Sequence, residues 1–224
     1  MTDASEPSAL PVAQEAEIER EYGDFPDVSS VNGVSYDGKR VWFAAGDKLH
    51  ALDPETGQRV AALEVACDAG TAFDGKHLYQ LNAGQIHKLD PTTGRILASI
   101  AAPAPAADNA GLTWAEGTLW VARHRDRKIL QIDPASGQVL RTVHSDRFVT
   151  GVTFAGKELW HATWENGESE LRQVDPESSR VLARARMPSG MFISGLESDG
   201  AERFFSGAGT RGRVRVLRKP KARR

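Results

Sequence analysis

The sequence has almost no cysteine, no long apolar run and no sustained helical period. Its 224 residues contain one cysteine, Cys67, which rules out an internal disulfide and suits a reducing compartment. No apolar run approaches the roughly 20 residues that a membrane helix needs. The N-terminus lacks the basic and apolar regions of a secretory signal. These absences predict a cytoplasmic protein that makes no membrane contact.

Familiar catalytic and cofactor signatures are missing as well. The chain has no HExxH motif, no paired CxxC and no GxSxG nucleophile elbow. GAGTRG at 207–212 matches GxGxxG, but it joins two predicted strands and opens no helix, which indicates a β-turn. Lys+Arg 28 against Asp+Glu 30 gives a net charge of −2, which argues against a nucleic-acid partner. We therefore expect no cofactor of these classes.

A repeat fills most of the chain. HALDPETGQRV, HKLDPTTGRIL, LQIDPASGQVL and RQVDPESSRVL share an Asp-Pro turn between two alternating strands. In the last copy Ser179 replaces the positive-φ glycine, so that turn should be strained or of another type. A second pattern, a strand, a tight turn and a strand, precedes each hairpin. It opens on five glycines: Gly33, Gly70, Gly111, Gly151 and Gly195.

Four strands per unit at a period near 40 residues indicate an all-β, five-bladed β-propeller of four-stranded antiparallel blades. The fifth copy has only three strands, so an N-terminal strand in QEAEIEREY is expected to close the last blade. Its alternating glutamates would face Arg211, Arg213 and Arg215. We predict a disordered segment at 1–14, one propeller domain at 15–217 and a basic tail at 218–224.

Aromatic residues recur at fixed repeat positions. One set occupies the first strand of four blades: Tyr36, Phe73, Trp114 and Phe154. Another occupies the second strand of all five: Trp42, Tyr79, Trp120, Trp160 and Phe205. A residue that recurs in each blade serves what each blade must do, which is to pack on its neighbour. We expect these aromatics in the core and not in a ligand cage.

The blades differ on one face only. The turns between first and second strands, and between third and fourth, are short and alike. The second-to-third turns and the inter-blade crossings vary, and function on a repeat scaffold usually lies on variable loops. The predicted ligand-binding residues lie on this crossing face: Asn32, Asp108, Asn109, His124, Thr150, Trp164, Glu165 and Ser194. His124, between two arginines, either binds an anionic group or belongs to a solvated loop.

Two carboxylates are candidate acid–base groups. Glu197 stands where the other blades have Ser35, Ala72, Thr113 and Thr153, on the innermost strand. Burial beside the channel would raise its pKa, and the alternative is a water-filled channel that solvates it. Asp68 is the second candidate, and we expect both at one channel mouth. A hard divalent cation on Asn32, Asp68 and Asn109 is a chemical alternative, although no metal ligand is assigned. Trp164 and Glu165 either contact the ligand or pack on their own loop.

Phrases such as GLTWAEGTLWVA followed by KILQIDPASG resemble the bacterial and plant glutaminyl-peptide cyclotransferases, which are five-bladed propellers. The resemblance covers roughly residues 30–217. It implies a transferase in which an N-terminal glutamine's amine attacks its own side-chain amide and releases ammonia. A channel-side acid would handle the protons, without metal. The family's glutamate directly precedes the second blade's glycine, where this chain has Ala69, with Asp68 one residue earlier.

Three functions follow from these observations. The first is a cyclotransferase-like propeller that acts on or binds a small polar or peptidic ligand, with Asp68 or Glu197 as acid–base group. The second is a non-catalytic propeller that binds a ligand or a protein. The third is a metal-dependent lactonase or lyase of similar shape. A monomer is expected in each case.

Overall fold

The computed structural model describes residues 10–210 and 212–221. Most of the predicted N-terminal segment (1–9 of 1–14), Arg211 and the end of the basic tail (222–224) lie outside the described residues. A short 3-10 helix covers Ala106–Asp108. The strands are, in chain order, β1 (Gln14–Glu15), β2 (Ile18–Tyr22), β3 (Gly33–Tyr36), β4 (Val41–Ala45), β5 (Lys48–Leu52), β6 (Arg59–Leu63), β7 (Thr71–Phe73), β8 (Leu78–Asn82), β9 (Gln85–Leu89), β10 (Ile96–Ala101), β11 (Asn109–Ala115), β12 (Thr118–Arg123), β13 (Lys128–Ile132), β14 (Val139–His144), β15 (Phe148–Ala155), β16 (Glu158–Glu165), β17 (Glu168–Val174), β18 (Val181–Arg186), β19 (Ser194–Ser198), β20 (Arg203–Gly207) and β21 (Val214–Arg218).

These strands form five separate sheets arranged as a propeller, which confirms the predicted fold class. Blades one to three are β3 to β6, β7 to β10 and β11 to β14, each an antiparallel meander from the inside outward. Blade four is β15 to β18, and blade five is β19, β20, β21 and β2. The second-to-third turns and the inter-blade crossings therefore lie on one face, the predicted crossing face. We call the opposite face, with the short repeated turns, the turn face.

The N-terminal strand closes the ring as predicted. In β2, Ile18 lies opposite Leu217 and Tyr22 opposite Val214, antiparallel to β21. Glu21 accepts a hydrogen bond from Arg215 Nε at 2.6 Å and forms an ion pair with Arg213 at 3.1 Å. Of the alternating glutamates, Glu21 alone meets the predicted arginines in the described residues, whereas Glu19 pairs with Arg203 and Arg218. Ion pairs therefore join this edge, but not in the predicted register.

A second closure was not predicted. The two-residue strand β1 pairs in parallel with the outer strand of blade four, with Gln14 opposite Ala185 and Glu15 opposite Arg186. The hydrogen bond from Ala16 N to Arg186 O, 2.8 Å long, extends this pairing. Since β1 and β2 follow each other directly, residues 14–22 join the outer edge of blade four to that of blade five.

The repeated turns follow the predicted chemistry. The Asp53 carboxylate accepts from Glu55 N at 2.7 Å, and Asp175 accepts from Glu177 N at 2.8 Å in the fourth copy. Ser179 has φ = +60°, close to the +74° of Gly57 at the equivalent position. The fourth turn therefore keeps the same shape, and Ser179 adopts a backbone conformation that favours glycine.

The repeated aromatics pack between blades. Tyr79 of blade two stacks on Trp114 of blade three, with ring centroids 5.4 Å apart. Trp120 packs on Phe154 of blade four at 5.0 Å. The second-strand set is buried in full, from Trp42 and Trp120 at 0% exposed to Tyr79 and Phe205 at 4%. The predicted core role is confirmed for this set, whereas the first-strand aromatics are half-buried and pack against the core clusters.

Five glycines pinch the central channel. A Cβ built on each of them would lie 2.7–2.9 Å from the Cα of the next blade's glycine, far inside van der Waals contact. The contacts run from blade to blade and close from the fifth to the first. We call this set the glycine ring: Gly33, Gly70, Gly111, Gly151 and Gly195. It divides the channel into a crossing-face half and a turn-face half.

Candidate functional site

A depression of about 270 Å³ lies on the axis at the crossing face, directly above the glycine ring. Its floor is formed by the residues that precede the five glycines: Asn32, Ala69, Ala110, Thr150 and Ser194. We call this depression the mouth. Its sides come from the crossings and loops: Asp68, Asn109, His124 and Phe192, with Ala107. A second depression, of about 230 Å³, adjoins it through Asp68 and Asn109 and extends toward Asn82.

Asp68 is the one carboxylate among the described residues that line the mouth. Its side chain is exposed, and Oδ2 accepts a hydrogen bond from the backbone N–H of Ala83 at 2.9 Å. That bond fixes the carboxylate against the loop between β8 and β9. No basic side chain in the described part of the chain forms a salt bridge with Asp68. Among the described residues, the Asp68 carboxylate therefore stands at the mouth without a paired cation.

Two hydroxyls lie on the floor, and only one of them has hydrogen-bond partners among the described residues. Ser194 Oγ donates to Val31 O and accepts from Gly209 N at 2.9 Å, so it ties blade five to the crossing that leads into blade one. Thr150 is 4% exposed, and its Oγ1 has no hydrogen-bond partner among the described residues. A buried hydroxyl without a partner costs free energy, and a polar ligand atom at the floor would relieve that cost.

Asp108, predicted to bind a ligand, instead holds a loop. Its carboxylate accepts from Arg125 N at 2.6 Å and from Asp126 N at 3.0 Å, and it lies 3.5 Å from the guanidinium of Arg123. Arg123 is fully buried, and its Nη1 donates to Asn109 Oδ1 at 2.7 Å. Asp108 does not line the mouth. Asn109 does, but its side-chain oxygen is already engaged.

His124 stands at the side of the mouth with one ring nitrogen engaged. Its Nδ1 lies 3.2 Å from the backbone oxygen of Val149. Because a carbonyl oxygen only accepts, this contact places the proton on Nδ1 and leaves Nε2 as the acceptor in the neutral ring. The imidazole also packs on Phe148, with centroids 5.0 Å apart.

Trp164 and Glu165 have separate roles. The indole of Trp164 meets the ring of Phe192 edge-on at 5.2 Å, and Phe192 lines the mouth. Trp164 therefore extends the aromatic wall. Glu165 forms an ion pair with Arg127 at 3.2 Å and accepts from Phe148 N at 3.4 Å. Glu165 thus ties its loop both to β15 and to the neighbouring loop of blade three, and ligand contact by Trp164 and Glu165 stays a prediction.

Glu197 lies on the other side of the glycine ring. It follows Gly195 by two residues, toward the turn face, so it does not join Asp68 at the mouth as expected. Thr153 Oγ1 donates to its Oε1 at 2.6 Å, and Ser198 N does so at 2.9 Å. Burial raises its pKa to about 7, although these hydrogen bonds and one from Thr113 lower it. The pKa of Glu197 is therefore raised as predicted, but its carboxylate lies in the turn-face half of the channel and not at the mouth.

Arg215 makes two contacts, one to the closing strand and one to Phe192, which with Trp164 forms the aromatic wall of the mouth. Only the first contact was predicted from the sequence. Its buried guanidinium meets Glu21 as the alternation predicted, and its Nη1 also donates to Phe192 O at 2.9 Å. The closing strand β2 is therefore connected to the mouth through Arg215. Nothing in the sequence signals the second contact, because Phe192 lies in an irregular crossing.

The donors available for a metal at the mouth are few. No cluster of three His, Cys, Asp or Glu side chains occurs in residues 10–210 and 212–221. Of the three residues named for a hard cation, Asn32 and Asp68 line the mouth, and Asn109 lines it with its oxygen bonded to Arg123.

None of the helices in the described part of the chain is long and apolar enough to span a bilayer.

Comparisons with known proteins agree with this architecture. A family model described as outer membrane protein assembly factor BamB matches residues 45–189. No curated protein matches the sequence. Among solved structures, Myxococcus xanthus glutaminyl cyclase is similar with a TM-score of 0.74 and 17% identity, over 93% of this chain and 97% of that one.

Kuenenia stuttgartiensis hydrazine synthase is similar with a TM-score of 0.50 and 19% identity, over 80% of this chain and 56% of that one. The chain therefore spans little more than half of that protein's length. At these identities the two structural likenesses show the fold alone.

Proposed function

The chain belongs to the family described as outer membrane protein assembly factor BamB, and on that premise we propose that it binds a small polar or peptidic ligand at the mouth. The observation that carries the proposal is the floor of the mouth. Five inner strands deliver one residue each to a single concave surface on the axis, and the glycine ring closes it below. A concave site with a few convergent polar groups is the usual form of a small-ligand site.

The charge of the mouth favours a ligand with an amino group. The exposed carboxylate of Asp68 is held by Ala83 N and has no basic partner in the described residues. A ligand ammonium would make a charge-assisted hydrogen bond there, of the kind that is roughly twice as strong as a neutral one. The N-terminus of a peptide and a small amine both supply this group.

The remaining parts of the mouth favour a polar ligand with an apolar flank. Thr150 offers a buried hydroxyl without a partner, and Asn32 offers an amide on the same floor. Phe192, backed by Trp164, forms an apolar wall at one side. A peptide whose first residue carries a polar side chain would satisfy both groups.

A second candidate is catalysis on that ligand, with Asp68 as the acid–base group. The support for it is the position of Asp68, one residue before the place where the resemblance puts the cyclotransferase glutamate. Ala69 occupies that place on the floor, so Asp68 would have to reach the reacting amide from the side. The fold likeness to glutaminyl cyclase is compatible with this chemistry.

Binding is tested by isothermal titration calorimetry with a glutamine-initiated tripeptide, and the N-acetylated tripeptide as its comparison. We expect Asp68→Asn to weaken binding about tenfold, since a hydrogen bond to a charged group contributes roughly 1.5 kcal/mol. Asp47→Asn is the matched control, because Asp47 is an exposed carboxylate between β4 and β5 on the same face and does not line the mouth.

Equal affinity for the free and acetylated peptides, or an equal effect of both substitutions, would contradict the proposed charge contact. Ammonia release from the same peptide tests catalysis separately. Release that Asp68→Asn abolishes favours the enzyme, whereas binding without release leaves a ligand-binding propeller. The expectations of a monomer and of a cytoplasmic location stay predictions.

A further inference from the structure

The turn-face half of the channel contains a second group of polar residues. Glu197 and its counterparts on the other blades follow the glycine ring by two positions: Ser35, Ala72, Thr113 and Thr153. Thr153 comes from the adjacent blade four, but Thr113 comes from blade three, and its Oγ1 lies 3.4 Å from Glu197 Oε2. The carboxylate therefore reaches across the channel.

We propose that this half of the channel binds one monovalent cation, sodium or potassium, through the carboxylate of Glu197 and the hydroxyl oxygens of Thr113, Thr153 and Ser35. This site is separate from the mouth, because the glycine ring lies between them. The result of its test is therefore independent of the proposed function.

The charge of the site requires a cation or a proton. No Lys, Arg or His in the described residues forms a salt bridge with Glu197. The side chains at the same level from β3, β7, β11 and β15 are uncharged, and on β20 the residue opposite Glu197 is Phe205. A partly buried carboxylate without a positive partner is costly. One monovalent cation balances it.

The donor set suits such an ion. Carboxylate and hydroxyl oxygens are hard ligands. The single carboxylate balances one positive charge, which matches a monovalent ion. Thr153 Oγ1 donates to the carboxylate and accepts from Ser198 N at 3.0 Å, which leaves it one lone pair for a cation. Thr113 Oγ1 accepts no hydrogen bond from the described residues, so its lone pairs are available.

Ser35 supplies the independent observation. It is 0% exposed, and its Oγ has no hydrogen-bond partner among the described residues. Ser35 follows Gly33 by two residues, as Glu197 follows Gly195, so the two side chains leave neighbouring inner strands on the same side. A cation beside Glu197 would use this hydroxyl oxygen, and the cost of burying it without a partner would fall.

An ion can reach the site from the turn face. Glu197 is half-buried and not sealed, and it stands next to the last residue of β19 before the turn. The glycine ring lies in the opposite direction, toward the mouth. Cation and proton compete for the same carboxylate, whose pKa of about 7 in the ion-free protein is set first by burial. Cation binding should therefore weaken as the pH falls below about 7.

The test is the ²³Na NMR linewidth of the full chain in dilute sodium chloride at pH 8.5, with N-methyl-D-glucamine chloride setting the ionic strength. We expect broadening that excess potassium chloride reverses, that Glu197→Gln abolishes, and that weakens at least fivefold at pH 5.5. Glu202→Gln, an exposed carboxylate on the same blade, is the matched control and should keep the broadening.

Equal broadening in Glu197→Gln and wild type, or none in wild type, overturns the proposal. Circular dichroism checks that the variant is folded. If it is not, the wild-type comparison decides, since broadening that is the same at pH 5.5 and pH 8.5 contradicts a site built on this carboxylate.

Discussion

A Cβ built on Gly195 would lie 2.9 Å from the Cα of Gly33, so the last blade meets the first as closely as consecutive blades meet. This contact completes the glycine ring and closes the propeller at its axis, while β2 closes it at its rim. The ring also separates the two carboxylates that the sequence singled out. Asp68 faces the mouth, and Glu197 faces the turn-face half of the channel.

The glycine ring should not tolerate a methyl group. Gly70→Ala is the cleanest case, because the new Cβ would stand 2.3 Å from Leu112 N and Gly70 has no positive φ. We expect the free energy of unfolding to fall by roughly 1–3 kcal/mol, as for other overpacked interiors. Urea denaturation measures the change. A loss below about 0.5 kcal/mol would mean that the blades do not meet here.

The repeated aromatics should account for much of the stability. Trp120 is fully buried and packs on Phe154, so Trp120→Ala should cost roughly 3–5 kcal/mol in the free energy of unfolding. Trp164→Ala is the matched control, since this indole stands outside the repeat and is only half-buried. It should cost clearly less. A loss under about 1 kcal/mol for Trp120→Ala on chemical denaturation would place this ring outside the core.

Stability should depend on pH through Glu197. Burial raises its pKa from an ordinary 4.5 to about 7 in the folded chain. The folded state therefore holds this proton more tightly than the unfolded state. The stabilisation is full below about pH 4.5 and is lost as the pH rises through about 7. Without sodium or potassium, wild type should lose roughly 2–3 kcal/mol between these pH values relative to Glu197→Gln.

Chemical denaturation of the two proteins at pH 4.5, 6 and 8, in N-methyl-D-glucamine buffers, measures that difference. Other titrating groups are common to both proteins and cancel in the comparison. Parallel stability curves for wild type and Glu197→Gln would show that the carboxylate is solvated like a surface group.

The features that recur in each blade could be predicted from the sequence, because each depends on residues that are close together in the chain. Asp-Pro turns, period-two strands and aromatics at fixed positions specify a blade, and five glycine openings specify how many blades there are. The closing strand was also predictable, since Glu21 and Arg215 belong to alternating charged strands. These signals do not depend on what lies far away in the chain.

The site was predictable only in part. Asn32, Thr150 and Ser194 directly precede blade glycines, and their convergence follows from the repeat. The structural use of Asp108 did not follow, because it depends on where the loop after β12 folds back. The pairing of β1 with β18 has no sequence signal either, since two residues carry no period.

The position of Glu197 was missed for another reason. Its distance from Asp68 depends on where the five backbones approach each other most closely. That place is set by inter-blade packing at the glycine ring, and a single repeat does not reveal it.

The central claim is that the mouth is the ligand site, and amide chemical-shift mapping tests it most directly. ¹⁵N-labelled protein is titrated with the glutamine-initiated tripeptide and observed by two-dimensional NMR. The account predicts saturable shifts at Asn32, Asp68, Thr150 and Ser194, with no shift at Ser35 or Ser198 beyond the glycine ring. Shifts confined to the turn face or the blade edges, or no saturable shift at millimolar peptide, would contradict it.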